Sequence, residues 1–243
     1  MNFYTSLKYS KKNPTYHAED SRYKYSNFIK ILKKNNFSFR KIKKIIDIGC
    51  GVGEVLKYLH QSKLFLNSSF VGYDINKYAI RIAKKNLSIK FICKDFIEFS
   101  ENKKFHLLIC ADVFEHIDDN VNFLKKLLNK SKYFLFNIPL DISLMSLIRK
   151  NIFRQKFSSV GHIHFYSKYS VLLKLEYCGY KIIDNIYAKN RLEHFTKEEF
   201  SVKKFLILPF QFLLDIINED LAAAIFGGYS LVVIAENSKH KKL

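Results

Sequence analysis

Residues 47–53 read DIGCGVG, and this stretch decides how the rest of the chain is interpreted. An apolar run at 42–48 leads into it, and Glu54–His60 continues from it as a helix-like segment. Together the three parts predict a strand, a glycine turn and a helix. Only glycine allows the backbone to turn this tightly and to pass close beside a ligand. The stretch therefore predicts a cofactor site of the nucleotide type.

The glycine spacing distinguishes between two kinds of nucleotide site. A dinucleotide fingerprint requires G-x-G-x-x-G, and Glu54 occupies the last of those positions here. The chain instead has Asp-x-Gly-x-Gly-x-Gly, formed by Asp47, Gly49, Gly51 and Gly53. A glycine loop alone is weak support for any one cofactor. The choice of cofactor therefore depends on residues elsewhere in the chain.

Apolar runs alternate with amphipathic segments after residue 40. The runs predict strands at Lys43–Ile48, Phe70–Tyr73, Ile89–Cys93, Phe105–Cys110, Tyr133–Ile138, Tyr180–Tyr187 and Ser230–Glu236. The amphipathic segments predict helices at Glu54–His60, Lys77–Asn86, Asn120–Asn129 and Tyr169–Tyr177, a basic helical piece at Leu144–Phe153, and a helix at Thr196–Ile217 that is interrupted near Pro209. Continuous apolar strands alternating with helices predict an α/β fold with a parallel sheet covered on both faces.

The formal net charge of +19 is distributed unevenly over the 243 residues. Residues 1–44 contain twelve lysines and arginines against Glu19 and Asp20, so they contribute 12 − 2 = +10. We expect residues 1–40 to form a basic cap or lid on a main domain at 41–243. A strongly basic chain favours anionic partners, which include phosphorylated small molecules and nucleic acid, although solvated surface lysines explain much of the excess.

The cysteine pattern and the hydropathy pattern both bear on location. No C-x-x-C pair is present, and Cys50, Cys93, Cys110 and Cys178 each lie in an apolar stretch, so we expect buried, reduced thiols. Residues 1–12 lack the apolar centre of a signal peptide, and Phe205–Leu214 is too short to span a bilayer. These patterns predict a cytoplasmic protein without a transmembrane segment. No pattern indicates an oligomeric state.

Acidic residues come directly after three of the predicted parallel strands. Asp74 ends the second strand, where a carboxylate can accept hydrogen bonds from both hydroxyls of a ribose. Asp95 lies just beyond the third strand and could accept from an adenine amino group, with Phe96 packed on the ring. Asp112 lies beyond the fourth. Open α/β sheets bind ligands at the carboxyl ends of their strands. An acid at position 74 suits NAD equally well, so this pattern predicts a nucleoside without choosing one.

Residues 45–139 resemble the cofactor-binding half of class I S-adenosylmethionine (SAM) methyltransferases. The small-molecule branch that contains ubiquinone-biosynthesis-type O-methyltransferases is the most similar. The matching motifs are IDIGCGVG at 46–53, GYD at 72–74, KDF at 94–96, DVFEHI at 112–117 and GHIHFYS at 161–167. The resemblance implies a Rossmann-like sheet of seven strands in the order 3-2-1-4-5-7-6, in which strand 7 is antiparallel. It divides the main domain into a SAM-binding half at 41–139 and an acceptor-side half at 140–243.

The same resemblance implies a SAM site and S-adenosyl-L-homocysteine as the product. Gly49, Gly51 and Gly53 would flank the methionine part of SAM. Asp74 would hold the ribose, and Asp95 with Phe96 would hold the adenine. Three further residues complete the expected cofactor set: Asp47, Ile75 and Asp112.

Histidines beyond strand 4 are the candidates for catalysis. His116 is the first candidate for a general base toward an acceptor hydroxyl, and Glu115 could orient its ring. A histidine that only shapes the loop is an equal alternative. His162 and His164 are two residues apart and would share one face of an extended segment, where they could contact the acceptor. Two histidines at this spacing are weak support for a metal, so no metal site is predicted.

The leading hypothesis is a SAM-dependent enzyme that methylates an oxygen atom of a small molecule. The charge favours an anionic acceptor, such as a phosphorylated or nucleotide-linked precursor of a cell-surface glycan. An RNA methyltransferase is the first alternative, although the Asn/Asp-Pro-Pro-Tyr/Phe motif of base-amino methylation is absent from the sequence. A SAM-binding protein without turnover is the second.

Overall fold

The computed structural model describes residues 13, 15–16, 18–85, 88–99, 104–189 and 202–238 of the chain. Its seven strands are β1 Lys44–Ile48, β2 Ser69–Asp74, β3 Lys90–Cys93, β4 Phe105–Ala111, β5 Ser131–Leu140, β6 Tyr180–Ala188 and β7 Tyr229–Asn237. Its α-helices within this part of the chain are α1 Ser21–Lys34, α2 Glu54–Gln61, α3 Lys77–Ala83, α4 Phe96–Phe99, α5 Asn120–Leu128, α6 Leu144–Ile148, α7 Ile152–Ser159, α8 Lys168–Tyr177, α9 Val202–Ile217 and α10 Glu219–Phe226.

The sheet has the order β3-β2-β1-β4-β5-β7-β6, as the resemblance implied. β7 runs antiparallel to both of its neighbours, and the other adjacent pairs are parallel. The strand order reverses between β1, which starts one half of the sheet, and β4, which starts the other. A crevice opens at the carboxyl ends of the strands beside this switch, and α/β sheets bind ligands there.

Both faces of the sheet are buried. Leu107 and Ile109 of β4 join a core cluster on one face, while Leu108 and Cys110 join the cluster on the other face. Successive side chains of a strand point to opposite faces, so a strand buried on both sides must be apolar throughout. This requirement explains the continuous apolar runs from which the sheet was predicted.

Helix α1 is part of the core. Its residues Phe28, Ile31 and Leu32 are fully buried, and they belong to the same cluster as β1 and β7. The spacing of these three residues is the i, i+3, i+4 pattern of one helix face. The described part of the expected cap at 1–40 therefore packs against the sheet. It also lies beside the crevice.

Two details of the predicted helices are corrected. The predicted helix at Leu144–Phe153 is two helices, because Asn151 adopts a left-handed conformation with φ of 64° between them. The predicted interruption at Pro209 is wrong, since α9 continues through that residue. Residues 196–201 of the predicted helix lie outside the described part of the chain.

The cysteines are free thiols, and Cys93 is exposed, whereas burial was expected for all four. Across the described residues, no helix combines the length and the apolar character needed to cross a bilayer.

Candidate active site

The glycine turn between β1 and α2 forms one wall of the crevice. Gly49, Gly51 and Gly53 have φ values of 72°, 53° and 81°, which lie in the region that favours glycine. A Cβ atom on Gly49 would lie 2.4 Å from Val113 Cγ2, and one on Gly53 would lie 2.4 Å from the ring of Phe91. The turn therefore needs glycine for its backbone conformation and also for its close packing.

Asp74 braces this turn. Its carboxylate accepts a hydrogen bond from the Gly51 amide at 2.8 Å and one from the Asn76 amide at 2.7 Å. Burial raises the pKa of Asp74, while the bonds from backbone amides act in the opposite direction. Asp74 and the adjacent Ile75 both line the cleft. The contact of Asp74 with a ribose stays a prediction.

Asp47 lies behind the turn. It is buried and is not among the residues that line the cleft. Burial, followed by the negative charge of Asp74, raises the pKa of Asp47 to about 8, and the charge of Lys24 opposes the shift. The structure therefore brings Asp47 close to the predicted cofactor residues without exposing it to a ligand in the cleft.

Asp95 and Phe96 lie at the same end of the cleft as Asp74 and also line it. Asp95 accepts a hydrogen bond from the Ile97 amide at 2.8 Å and so begins helix α4. Phe96 is only 2% exposed, and its ring packs edge-on against Tyr73 at 5.1 Å between centroids. Most of the Phe96 ring thus belongs to the core, and only part of it faces the cleft.

Asp112 comes directly after β4 and also lines the cleft. Its backbone is left-handed, with φ of 53°, and its carboxylate accepts from Asn137 Nδ2 at 2.7 Å and from Lys24 Nζ at 2.6 Å. Burial disfavours both charged forms, but the attraction within the pair outweighs it. The pKa of Lys24 is therefore raised and that of Asp112 is lowered.

Replacing Lys24 tests how strongly this ion pair holds α1 beside the cleft. Lys24→Met should lower the free energy of unfolding by about 2–4 kcal/mol, because it leaves a partly buried carboxylate without its cation. Urea denaturation measures the change. Lys34→Met on the same helix is the matched control. Lys34 pairs with Asp184 at 2.9 Å, but its side chain is 56% exposed, so its loss should cost less than about 1 kcal/mol. Equal losses for the two variants would contradict the prediction.

Glu115, His116 and His162 form a cluster in the part of the cleft that Asp112 also lines. Each offers one ligand atom, and these atoms all lie within 4.8 Å of one another. His116 and His162 line the cleft, with ring centroids 5.0 Å apart. Glu115 lies behind them and is fully buried, and neither of its carboxylate oxygens has a hydrogen-bond partner. Burial, followed by repulsion from Asp112, raises the pKa of Glu115 well above its usual range.

Both histidines have a polar contact at Nδ1. His116 Nδ1 is 3.1 Å from the carbonyl oxygen of Gly161, which can only accept, so Nδ1 carries a proton. His162 Nδ1 is 2.7 Å from Asp141 Oδ2, and Asp141 is also paired with Lys156. These contacts fix the orientation of both rings.

The structure does not bring His164 together with His116 and His162 at the cleft. Its Nε2 lies 3.0 Å from the carbonyl oxygen of Ile117 and 3.3 Å from that of Asp118. His164 is not among the residues that line the cleft. The ring therefore ties its own segment to the loop after β4, and we place it among the structural residues.

The sequence interpretation missed two partner residues, and a signal existed for each. Asp141 comes directly after β5, so the strand-end rule that identified Asp74 and Asp95 applies to it as well. Lys24 lies four residues before Phe28 and therefore on the buried face of α1, where a lysine requires a partner. The identity of those partners came only from the folded arrangement.

The cleft has a volume of about 1150 Å³. Typical small-molecule sites enclose about 300–1,000 Å³, so there is room for a nucleoside cofactor and a small second molecule together. Asp74 and Asp95 lie toward one end, and Asp112, His116 and His162 lie toward the other. Tyr16 also lines the cleft, whereas His17 of the expected lid lies outside the described residues.

Comparison with known proteins identifies the domain. The family model described as "Methyltransferase domain" matches residues 17–185, which is more than half of the chain. The chain is 32% identical over 98 residues to the mitochondrial ubiquinone biosynthesis O-methyltransferase of Schizosaccharomyces pombe; the match covers 37% of this chain and 34% of the relative. It is 26% identical over 136 residues to ribosomal protein L11 methyltransferase of Fusobacterium nucleatum, covering 51% of this chain and 41% of the relative.

The fold is also found among solved structures. Magnesium protoporphyrin IX methyltransferase from Synechocystis PCC 6803, crystallised with S-adenosylhomocysteine, aligns with a TM-score of 0.58 at 14% identity. That alignment covers 94% of this chain and 86% of the other. At this identity the likeness shows the fold alone. The chain spans about a third to two fifths of the length of the two curated relatives that it matches.

Proposed function

The chain belongs to the methyltransferase-domain family, and from this premise we propose that it transfers the methyl group of SAM to a hydroxyl oxygen of a small molecule. One observation carries the proposal. A single cleft is lined by the glycine turn, which Asp74 braces, and by the polar cluster of His116 and His162. The glycine turn and Asp74 suit the methionine and nucleoside of SAM, and the histidine cluster suits an acceptor.

The chemistry that this arrangement must supply is limited. The sulfonium of SAM activates its methyl group, and the acceptor oxygen attacks the methyl carbon in line with the S–C bond. An O–C bond forms as the C–S bond breaks, and the electron pair of that bond remains on sulfur, which gives neutral S-adenosylhomocysteine. Alignment of two reactants at near-attack distance can supply roughly 7–11 kcal/mol of the barrier. The hydroxyl proton must leave, and His116 and His162 are imidazole side chains that line the cleft and could accept it.

The charge of the cleft bears on the class of acceptor. Three lysines line it: Lys24, Lys94 and Lys126. Seven carboxylate side chains also line it: Asp20, Asp74, Asp95, Glu98, Asp112, Asp118 and Asp119. Among the described residues, the lysine excess of the whole chain is therefore not reproduced in the cleft lining. This favours a neutral, hydroxyl-bearing acceptor over the phosphorylated glycan precursor that the net charge suggested, and that precursor stays an untested prediction.

Methyl transfer from labelled SAM tests the proposal. Purified protein is incubated with SAM carrying a labelled methyl group and with a small-molecule extract, and S-adenosylhomocysteine and labelled products are measured by mass spectrometry. We expect labelled product in the fraction that contains small molecules. Labelling of RNA under the same conditions would favour the RNA methyltransferase instead. Tight SAM binding without any labelled product would favour the protein without turnover.

A further inference from the structure

We propose that the edge of the sheet opposite the cleft binds the phosphate backbone of nucleic acid. Five exposed lysines at or beside the starts of parallel strands define this surface, which we call the basic edge: Lys43, Lys44, Lys90, Lys104 and Lys132. None of the five is among the residues that line the cleft. The inference goes beyond the proposed function and does not rest on it, because nucleic acid at the basic edge is a partner and not the methyl acceptor.

Charged residues are divided between the two edges of the sheet. Nine lysines and arginines and one acid, Glu101, occur in the connections that lead from an α-helix into each of β1–β5, at 35–43, 62–68, 84–89, 100–104 and 129–130. One lysine, Lys94, and six acids occur in the connections that lead from these strands into the next α-helix, at 49–53, 75–76, 94–95, 112–119 and 141–143.

The division of charge follows the two ends of the strands. β1–β5 are parallel, so the described residues of the first set of connections lie along the amino edge of the sheet. The second set lies along the carboxyl edge, where the cleft opens. A general enrichment in lysine would place lysines at both edges. Their concentration at one edge therefore indicates a surface that binds an anionic partner.

The strand order arranges the basic edge as a row. β3 and β5 are separated by four strand spacings. Neighbouring strands lie about 4.7–4.9 Å apart, so the row from Lys90 to Lys132 is about 19 Å long. The pairing of β1 with β4 and of β4 with β5 sets Lys44 level with Lys132. A row of this kind fits a linear polyanion.

The length of the row matches the phosphate spacing of a nucleic acid strand. One strand of a B-form duplex carries a phosphate about every 3.4 Å of axis, so about 19 Å of duplex presents about five or six phosphates. The basic edge has five lysines over the same length. Among the described residues, none of the five forms an ion pair with an acid, whereas Lys34 and Lys181 do. The five charges can therefore face phosphates.

The scarcity of exposed apolar side chains disfavours a membrane as the partner. Surfaces that bind a bilayer combine basic residues with aliphatic and aromatic side chains that enter the headgroup region. In the described parts of the connections along the amino edge, Leu66 is the one large hydrophobic side chain that is exposed. The exposed apolar side chains lie mainly on other elements, which include α6, α8 and α9.

Fluorescence anisotropy of the whole protein tests the basic edge. Labelled DNA and RNA duplexes of mixed sequence and about 20 base pairs are titrated with protein between about 50 and 200 mM KCl, and the two probes distinguish DNA from RNA. We expect saturable binding to at least one duplex, with a slope of log K against log [KCl] of about −3 to −5. Combining Lys43→Gln, Lys44→Gln and Lys132→Gln should reduce this slope by about 2–3 and weaken binding by about 30-fold or more.

A second triple variant is the matched control. Lys77→Gln, Arg149→Gln and Lys150→Gln remove the same charge from exposed positions outside the basic edge, and together they should change the affinity by less than about threefold. Both variants should keep the wild-type melting temperature, because they alter exposed side chains. Equal weakening in the two variants would overturn the proposal, since the net charge and not the basic edge would then be responsible. Absence of saturable binding to both duplexes would also overturn it. Vesicles of phosphatidylcholine and phosphatidylglycerol that bind through the same three lysines, when neither duplex binds, would assign the basic edge to a membrane instead.

Discussion

Asp74→Ala is expected to weaken the binding of S-adenosylhomocysteine by about 100-fold or more, since two hydrogen bonds from ribose hydroxyls to a carboxylate contribute about 1.5–3 kcal/mol each. The carboxylate holds the Gly51 amide at 2.8 Å and faces the cleft where the ribose would lie. Its removal therefore loosens the glycine turn and also deletes the ribose contact. Isothermal calorimetry with S-adenosylhomocysteine measures the change directly.

Two controls separate lost binding from lost folding. Asp184→Ala makes the same chemical change on β6, where the carboxylate pairs with Lys34, and it should leave the affinity unchanged. The circular dichroism spectrum of Asp74→Ala should match that of the wild type, because burial raises the pKa of Asp74 and the fold no longer has to accommodate its charge. Wild-type affinity in Asp74→Ala would show that the cofactor binds elsewhere.

Gly53→Ala should be strongly destabilising, although it adds only a single methyl group to the glycine turn. An alanine at φ of 81° costs about 1–2 kcal/mol, and overlap of its Cβ with the Phe91 ring at 2.4 Å adds about 1–3 kcal/mol. The total of about 2–5 kcal/mol should lower the melting temperature by about 2–4 °C for each kcal/mol in a chain of this length. Differential scanning fluorimetry gives a first reading, and urea denaturation gives the free energy.

Gly51→Ala is the matched control for the packing component. Gly51 also has a positive φ, at 53°, but its Cβ would meet only the Tyr16 carbonyl oxygen at 3.8 Å. It should therefore lose only the backbone cost of about 1–2 kcal/mol. Adding Phe91→Leu to Gly53→Ala should cost less than the sum of the two single changes, because the smaller side chain relieves the overlap. Equal losses at the two glycines would contradict the packing argument.

The central strands were predictable because they are buried on both faces of the sheet. That position requires apolar residues throughout a strand, and it accounts for the continuous apolar runs at these strands. The carboxylates Asp74, Asp95 and Asp112 were predictable for a related reason, because the ends of parallel strands meet along one edge of the sheet. Burial was not predictable in the same way. Asp47 and Asp74 have similar positions relative to their strands, yet only Asp74 reaches the cleft.

Partners that come from distant segments escaped the sequence interpretation. The pairing of Lys24 with Asp112 joins residues that are 88 positions apart, and that of Asp141 with His162 crosses two helices. His164 shows the same limit. Its spacing from His162 predicted a shared face, but the loop after β4 offers carbonyl oxygens to one ring while Asp141 binds the other. The spacing of residues in the sequence indicates which face of an element a residue occupies. It carries no information about which other segment of the chain packs against that face.

The packing of α1 also has a consequence for synthesis of the chain. Phe28, Ile31 and Leu32 share a cluster with Val232 and Ile234 of β7, so this helix rests on a strand about 200 residues later in the sequence. A nascent chain emerges from the ribosome beginning at its N-terminus. The apolar residues of α1 therefore lack their final neighbours until β7 has also been translated. This face of the core is therefore completed late, and contacts of such high sequence separation are expected to form slowly.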